Sequence, residues 1–266
     1  KIDALLLGYV AASSWPHCYN LSEVEKKEEA RKKQDAKLKT AKKYIELLQP
    51  KYYIPFAGRY TLCGKNAVLN PYRGEPELED AFEWLRNNVD QEKYRGVILN
   101  NDCWVDVDTG NANKNYVPIN KNEKKDYVNN ILSRKKLPYE NESMSTTEIL
   151  NLIPKAYENF EKNRQKIGWV SDTMIILKTT NIDDDLIIAI SCNGKGFSKI
   201  SNDDIKKYEQ RMVMSLDIRL LKWLLYGPDK AHWSDADLGS HLRYERVGSV
   251  YKRGLFYCWN YFCAET

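Results

Sequence analysis

The chain has 266 residues, 42% of them hydrophobic and 29% charged. That balance can bury the core of one large domain or two modest ones, and it excludes a low-complexity chain. The 41 Lys and Arg against 37 Asp and Glu leave a net charge of +4, too slight to argue for a nucleic-acid partner.

In chain order, residues 2 to 8 read as a short buried strand bounded by glycine. The loop "YVAASSWPHCYN" follows. Ser22 and Glu25 then form a Ser-x-x-Glu capping box that opens a long helix. Its first half, "EVEKKEEARKKQDAK", is charged on nearly every face and is expected in solvent. Its second half carries Leu38, Ala41, Tyr44, Ile45 and Leu48 at helical spacing, so that end packs down. Pro50 stops it. "KYYIPFAG" is the next strand, which completes a β-loop-α-β unit and points to an α/β sheet.

Residues 75 to 88 read as a helix with Leu78, Ala81, Phe82 and Leu85 on one face. "RGVILNN" and "CWVDVDTG" read as short strands, and a helix is expected near 121 to 135. "KLPYENESMST" reads as a linker, dividing the chain into domains 1–135 and 146–266. The second is expected to be α+β. A helix from 146 to 166 is followed by "DTMIILKTT" and "DLIIAISC" as a hairpin around "NIDDD". "NGKG" is a second turn, and "YEQRMVMS" and "SHLRYERV" are further strands. "LDIRLLKWLLYG" is a buried helix closed by Gly227 and Pro228, and "SDAD" at 234 to 237 offers the cap of a short one. "YKRGLFYCWNYF" fits helix or strand.

The six cysteines stand at 18, 63, 103, 192, 258 and 263 with no CxxC pair. They read as reduced, mostly buried thiols of a cytoplasmic protein. No apolar run reaches about 18 residues, so no membrane partner is expected. No signal peptide is visible. The chain starts at Lys1 and enters a strand at once, so we expect the natural protein to continue upstream.

Only three histidines are present, His17, His232 and His241, too few for a dinuclear zinc site. "DVDTGNANKN" has Asp106, Asp108 and Gly110 but Val117 where a calcium loop needs a bidentate Glu, and so reads as an acidic turn. There is no G-x-S-x-G elbow, and His17 and Cys18, being adjacent, point apart. No catalytic residue and no metal ligand is assigned. Two loops remain. In an open α/β sheet, ligands bind outside the carboxyl ends of the strands. The loops after the first two strands would bring Tyr9, Trp15, His17, Arg59 and Tyr60 to one rim, an aromatic and cationic pocket suited to a sugar or phosphate-bearing ligand. Against this stands the plain reading, in which Arg59 caps structure and Trp15 fills core.

"IDALLLGYVAASSWPHCYN", the charged helix, "LLQPKYYIPFAGRYTLCGK" and the following "LN" resemble the C-terminal half of a metallo-β-lactamase-fold protein. The nearest branch is the one containing the CMP-N-acetylneuraminate hydroxylase and the L-ascorbate-6-phosphate lactonase-like hydrolases. The likeness covers roughly residues 1 to 100. It implies half of an αββα sandwich, with an H-x-H-x-D-H metal motif in a preceding half that this sequence lacks. The late ligand histidine of many members is also missing, since Phe56, Ala57 and Gly58 stand there. The hydroxylase-like branch tolerates that "PFAG" form. The tail "LDIRLLKWLLYGPDKAHWSDADLGSHLRYERV" is similar to the terminal module of bacterial members and resembles a sterol-carrier-type α+β fold.

The resemblance implies the C-terminal part of a metal-dependent hydrolase-like protein acting on a sugar or sugar-nucleotide in a bacterial cytoplasm. This chain would supply the pocket wall but not the metal centre. It would hold no cofactor itself, zinc or iron being expected only with the upstream half. Its partners would be that half or a second copy of itself. The alternative is a non-catalytic ligand-binding or assembly module.

Overall fold

The computed structural model describes residues 2–182, 185–248 and 252–265. It is a mixed α/β structure with two separate sheets. The chain falls into two compact units, residues 1–12 with 21–135, and residues 13–20 with 136–266.

The first unit is built on a parallel sheet in the order β1 (Ala4–Gly8), β2 (Tyr52–Phe56), β3 (Arg95–Gly96). Between the first two strands runs α1 (Glu23–Leu48), opened by the Ser22–Glu25 capping box. Between the second and third runs α2 (Leu78–Asn88). Register pairs Ala4 with Tyr52 and Gly8 with Phe56, which sorts side chains by face. On one face Leu7 and Tyr53 pack with Leu38, Ala41 and Ile45 of α1 and Ala81 and Leu85 of α2. Tyr44 and Leu48 of α1 are exposed instead of packed: at about 100° per residue they fall on the flanks of the stripe set by Leu38, Ala41 and Ile45. On the other face Tyr52 and Ile54 meet Val97, while Leu6 stays 58% exposed.

The strand expected over "RGVILNN" is two residues long. Val97 N–H still donates to the Tyr53 carbonyl, but the next donor on β2 would come from Pro55, which has none. "CWVDVDTG" is no strand either. Asp106 Oδ1 accepts the N–H groups of Asp108 and Thr109 at 3.0 and 2.8 Å, an Asx turn that diverts the backbone, and only a bridge between Val105 and Ala112 survives. Lys51 Nζ donates to the Asp108 carbonyl at 2.7 Å, a cation held by the turn's own backbone. The unit closes with α3 (Lys121–Asn130), capped by Asn120, and a 3-10 turn over Leu132–Arg134.

The second unit holds a five-stranded sheet in the order β6-β5-β4-β7-β8. Its strands are β4 (Met174–Thr180), β5 (Ile187–Ser191), β6 (Phe197–Lys199), β7 (Arg211–Asp217) and β8 (Arg243–Val247). β4 and β5 form the expected antiparallel pair, and β4 and β7 run parallel. Asp183 and Asp184 of the acidic turn, and Tyr251 of the last stretch, lie outside the described residues. The helix α4 (Thr146–Lys166) buries Ile149, Ile153, Ala156 and Phe160 at spacings of three and four.

Asp217 ends β7 and caps α5 (Ile218–Tyr226), accepting from the Arg219 N–H. The cap of α6 (Trp233–Leu238) is His232, whose Nδ1 accepts from the Ser234 N–H, in place of the "SDAD" cap expected. Residues 253 to 259 settle as a helix, α7 (Arg253–Trp259). There Trp259 stacks on Phe262 with ring centroids 4.5 Å apart. Residues 136 to 146, read as a linker, contain a 3-10 turn at Pro138–Asn141 and bury Tyr139. No helix among the described residues is long and apolar enough to cross a membrane.

Candidate functional site

The end of β2 is shaped by two glycines. At Gly58 a Cβ would stand 2.2 Å from the Tyr9 hydroxyl. Only glycine lets Tyr9 lie across the strand end, where its hydroxyl takes a hydrogen bond from the Arg59 backbone and burial raises its pKa. Gly74 has φ +70°, and a Cβ there would meet the Ala30 carbonyl of α1 at 2.9 Å. The "YRGEPE" turn is thereby pressed against α1, where Lys33 Nζ donates to the Arg73 carbonyl at 2.9 Å. These two approaches fix Arg59 on one side and Arg73, Glu75 and Glu77 on the other.

The charged groups form two linked pairs. Arg73 and Glu75 are buried, their side chains 1% and 0% exposed, with Nη1 to Oε2 at 3.0 Å. The Arg73 guanidinium lies 4.6 Å from the Tyr60 ring centroid and donates to the Tyr60 carbonyl. Burial pushes the Glu75 carboxyl above its ordinary range, opposed by Arg73. In the second pair, Glu77 spends both carboxylate oxygens. Arg59 Nη1 donates to Oε1, and Lys124 Nζ of α3 donates to Oε2 at 2.6 Å. Burial first, then the neighbouring arginines, lowers the pKa of the Lys124 amine. The Arg59 Nε is buried and makes no hydrogen bond.

Two clefts open on this network, of about 370 and 400 Å³, and both are lined by Arg59, Asn70, Pro71 and Glu77. The first adds Lys121, Lys124, Lys125 and Asn129 with the apolar Val68 and Val128. The second adds Gln34, Trp84 and three carboxylates, Asp35, Glu75 and Asp80. Each volume suits a small ligand. In the first cleft Arg59 and three lysines stand around Glu77, with Lys121 also 3.4 Å from Asp80; such a cation cluster can hold a compact anion, the guanidinium fork supplying directional donors.

The five residues expected on one rim are distributed between the two units. Tyr9, Arg59 and Tyr60 belong to the first, Trp15 and His17 to the second. Arg59 lines both clefts. Tyr9 is core, and Tyr60 serves as the platform beneath Arg73. His17 is fully buried, its Nε2 2.7 Å from Ser240 Oγ, and Trp15 packs edge-on against Tyr19.

Sequence reading missed Arg73, Glu75, Glu77 and Lys124. The first three follow one another around Gly74 in "YRGEPE", a charged turn with no periodic signal. Lys124 comes from a helix 47 residues beyond Glu77, and only the folded chain brings it there. Among the described residues no group of three or more His, Cys, Asp or Glu is placed to hold a metal ion. Compared with family models, curated proteins and solved structures, the chain matches none.

Proposed function

We propose that this chain forms the ligand-holding wall of a metal-dependent, metallo-β-lactamase-type hydrolase acting on a sugar or sugar-nucleotide. The observation that carries the ligand part is Arg59, half-buried with its Nε unbonded, in the lining of a cleft that also holds three lysines. The clefts lie just past the carboxyl end of β2, where parallel sheets bind ligands. The wall's work is to hold the anionic part of the ligand and orient the rest. The hydrolase part rests on the resemblance of residues 1 to 100. On that reading the three-stranded sheet is half of an αββα sandwich and the five-stranded unit is a sterol-carrier-like module. On the same resemblance, the metal and the water it activates would come from a preceding half carrying the H-x-H-x-D-H motif. A bacterial cytoplasm and association with a further half or a second copy complete the proposal.

The second reading is a non-catalytic ligand-binding module, in which the same clefts hold a ligand without turning it over. Both readings share one test. Calorimetric titration with glucose 6-phosphate and with glucose should show binding of the anion that Arg59→Ala weakens at least tenfold. An unchanged affinity returns Arg59 to scaffold. Turnover of the bound ligand by the full gene product with zinc or iron(II) separates the hydrolase from the module.

A further inference from the structure

The carboxylate of Glu77 sits where an anionic ligand of this cleft would sit. Both its oxygens are taken by the two cations that line the opening, Arg59 and Lys124. Its side chain is 23% exposed, so the group stands at the cleft wall, within reach of solvent. The deeper cation, Arg73, has its own partner in Glu75. Two cations therefore share one carboxylate, with Lys125 adding positive charge to the same lining and Lys121 paired there with Asp80 at 3.4 Å. The Arg59 Nε donor is the part of this arrangement that Glu77 does not satisfy.

We infer that Glu77 is an internal competitor for the ligand: a tethered carboxylate that occupies the anion position and must yield it when a compact oxyanion enters. This rests on the anion-binding reading of the cleft. Phosphate entering the cleft would take over the Arg59 Nη1 and Lys124 Nζ donors, and the Arg59 fork would gain through Nε a bond it now lacks. The tether discriminates by charge and reach. A weakly charged or poorly fitting anion does not displace a carboxylate already in place, whereas a dianion with three oxygens does. Glu77 is thus a specificity-determining residue, acting by raising the affinity a ligand must have.

The test is a titration of the full chain with inorganic phosphate, and separately with acetate, followed by calorimetry at low ionic strength. Glu77→Gln keeps the shape of the side chain and removes its charge. It is expected to bind phosphate at least tenfold more tightly than the parent chain, with the gain shrinking as salt is added. Glu77→Asp keeps the charge but is one methylene too short to span both cations, and should fall between the two. Acetate, a monoanion, should bind detectably only to Glu77→Gln. If Glu77→Gln does not fold, as judged by circular dichroism, the aspartate variant carries the same comparison. Phosphate binding by the parent that neither variant tightens overturns the role of Glu77 and leaves the anion cleft standing. No phosphate binding by the parent or by a folded variant overturns the cleft itself, and this inference with it.

Discussion

Replacing Glu75 by Gln should cost the first unit a large share of its stability. The carboxylate and the Arg73 guanidinium are 1% exposed or less and 3.0 Å apart. Gln keeps the shape and an acceptor oxygen but removes the countercharge, leaving the buried Arg73 cation with neutral partners such as the Tyr60 ring and carbonyl. Breaking such a pair from one side costs about 3–5 kcal/mol, against a total of roughly 5–15 kcal/mol for a typical fold.

The assay is equilibrium urea unfolding read by hydrogen exchange at the β2 amides, which reports this unit by itself. Removing both charges with Arg73→Met and Glu75→Leu should recover most of the loss, since a buried pair replaced by apolar groups is often neutral. Arg73→Met alone leaves the carboxylate buried and has a pH signature. Burial raises the folded pKa of Glu75 above its ordinary value near 4.5. Between the two values the folded state holds a proton that the unfolded state has released, so stability falls as pH rises. The deficit of Arg73→Met should therefore shrink as the pH is lowered from about 7 toward 5. A loss under about 1 kcal/mol for Glu75→Gln would refute the reasoning, because an isolated buried charge cannot cost so little. So would a double variant no better than the sum of the singles.

Gly58→Ala should destabilise the first unit by about 1–3 kcal/mol, because the new methyl meets the Tyr9 hydroxyl at 2.2 Å. Thermal unfolding checks it, and Tyr9→Phe in the same chain should relieve part of the loss. Burial pushes the Cys192 thiol up to about 12, so roughly one thiol in ten thousand is ionised at pH 8. Iodoacetamide followed by peptide mass spectrometry should mark the partly exposed Cys63 and Cys103 and leave Cys192 untouched; equal labelling in the folded chain contradicts this.

Elements governed by local chemistry were legible. Ser22 and Glu25 announce the start of α1, and they cap it. The apolar runs "MIILKTT" and "LIIAIS" lie in two paired, buried strands. What could not be read depends on which partner a segment meets. Arg95–Gly96 looks like the start of a longer strand until Pro55 is known to face the ladder. His232 outcompetes Ser234 as a cap because its ring nitrogen reaches the free N–H. In the site, Arg59 could be picked out because strand ends are where ligands bind. Its partners could not, because Glu77 and Lys124 join it only through the packing of α2 and α3. Tyr9 shows the opposite error: an aromatic beside a strand end suggests a ligand contact, and Gly58 is what turns it inward.

The excursion of residues 13–20 into the second unit bears on how the chain folds. Tyr19 bridges to Tyr244, Tyr244 N–H donates to the Cys18 carbonyl, and His17 meets Ser240 across 223 residues of sequence. At a synthesis rate of about 5–20 residues per second, that separation is roughly 10–45 s of elongation. The segment must wait through that interval, while the first unit's own strands are already complete. Its contacts add long loops to close, which slow folding more than they weaken the final state. Cutting the chain at the 135/136 boundary would divide the second unit, not release it, because one of its pieces is made near the beginning.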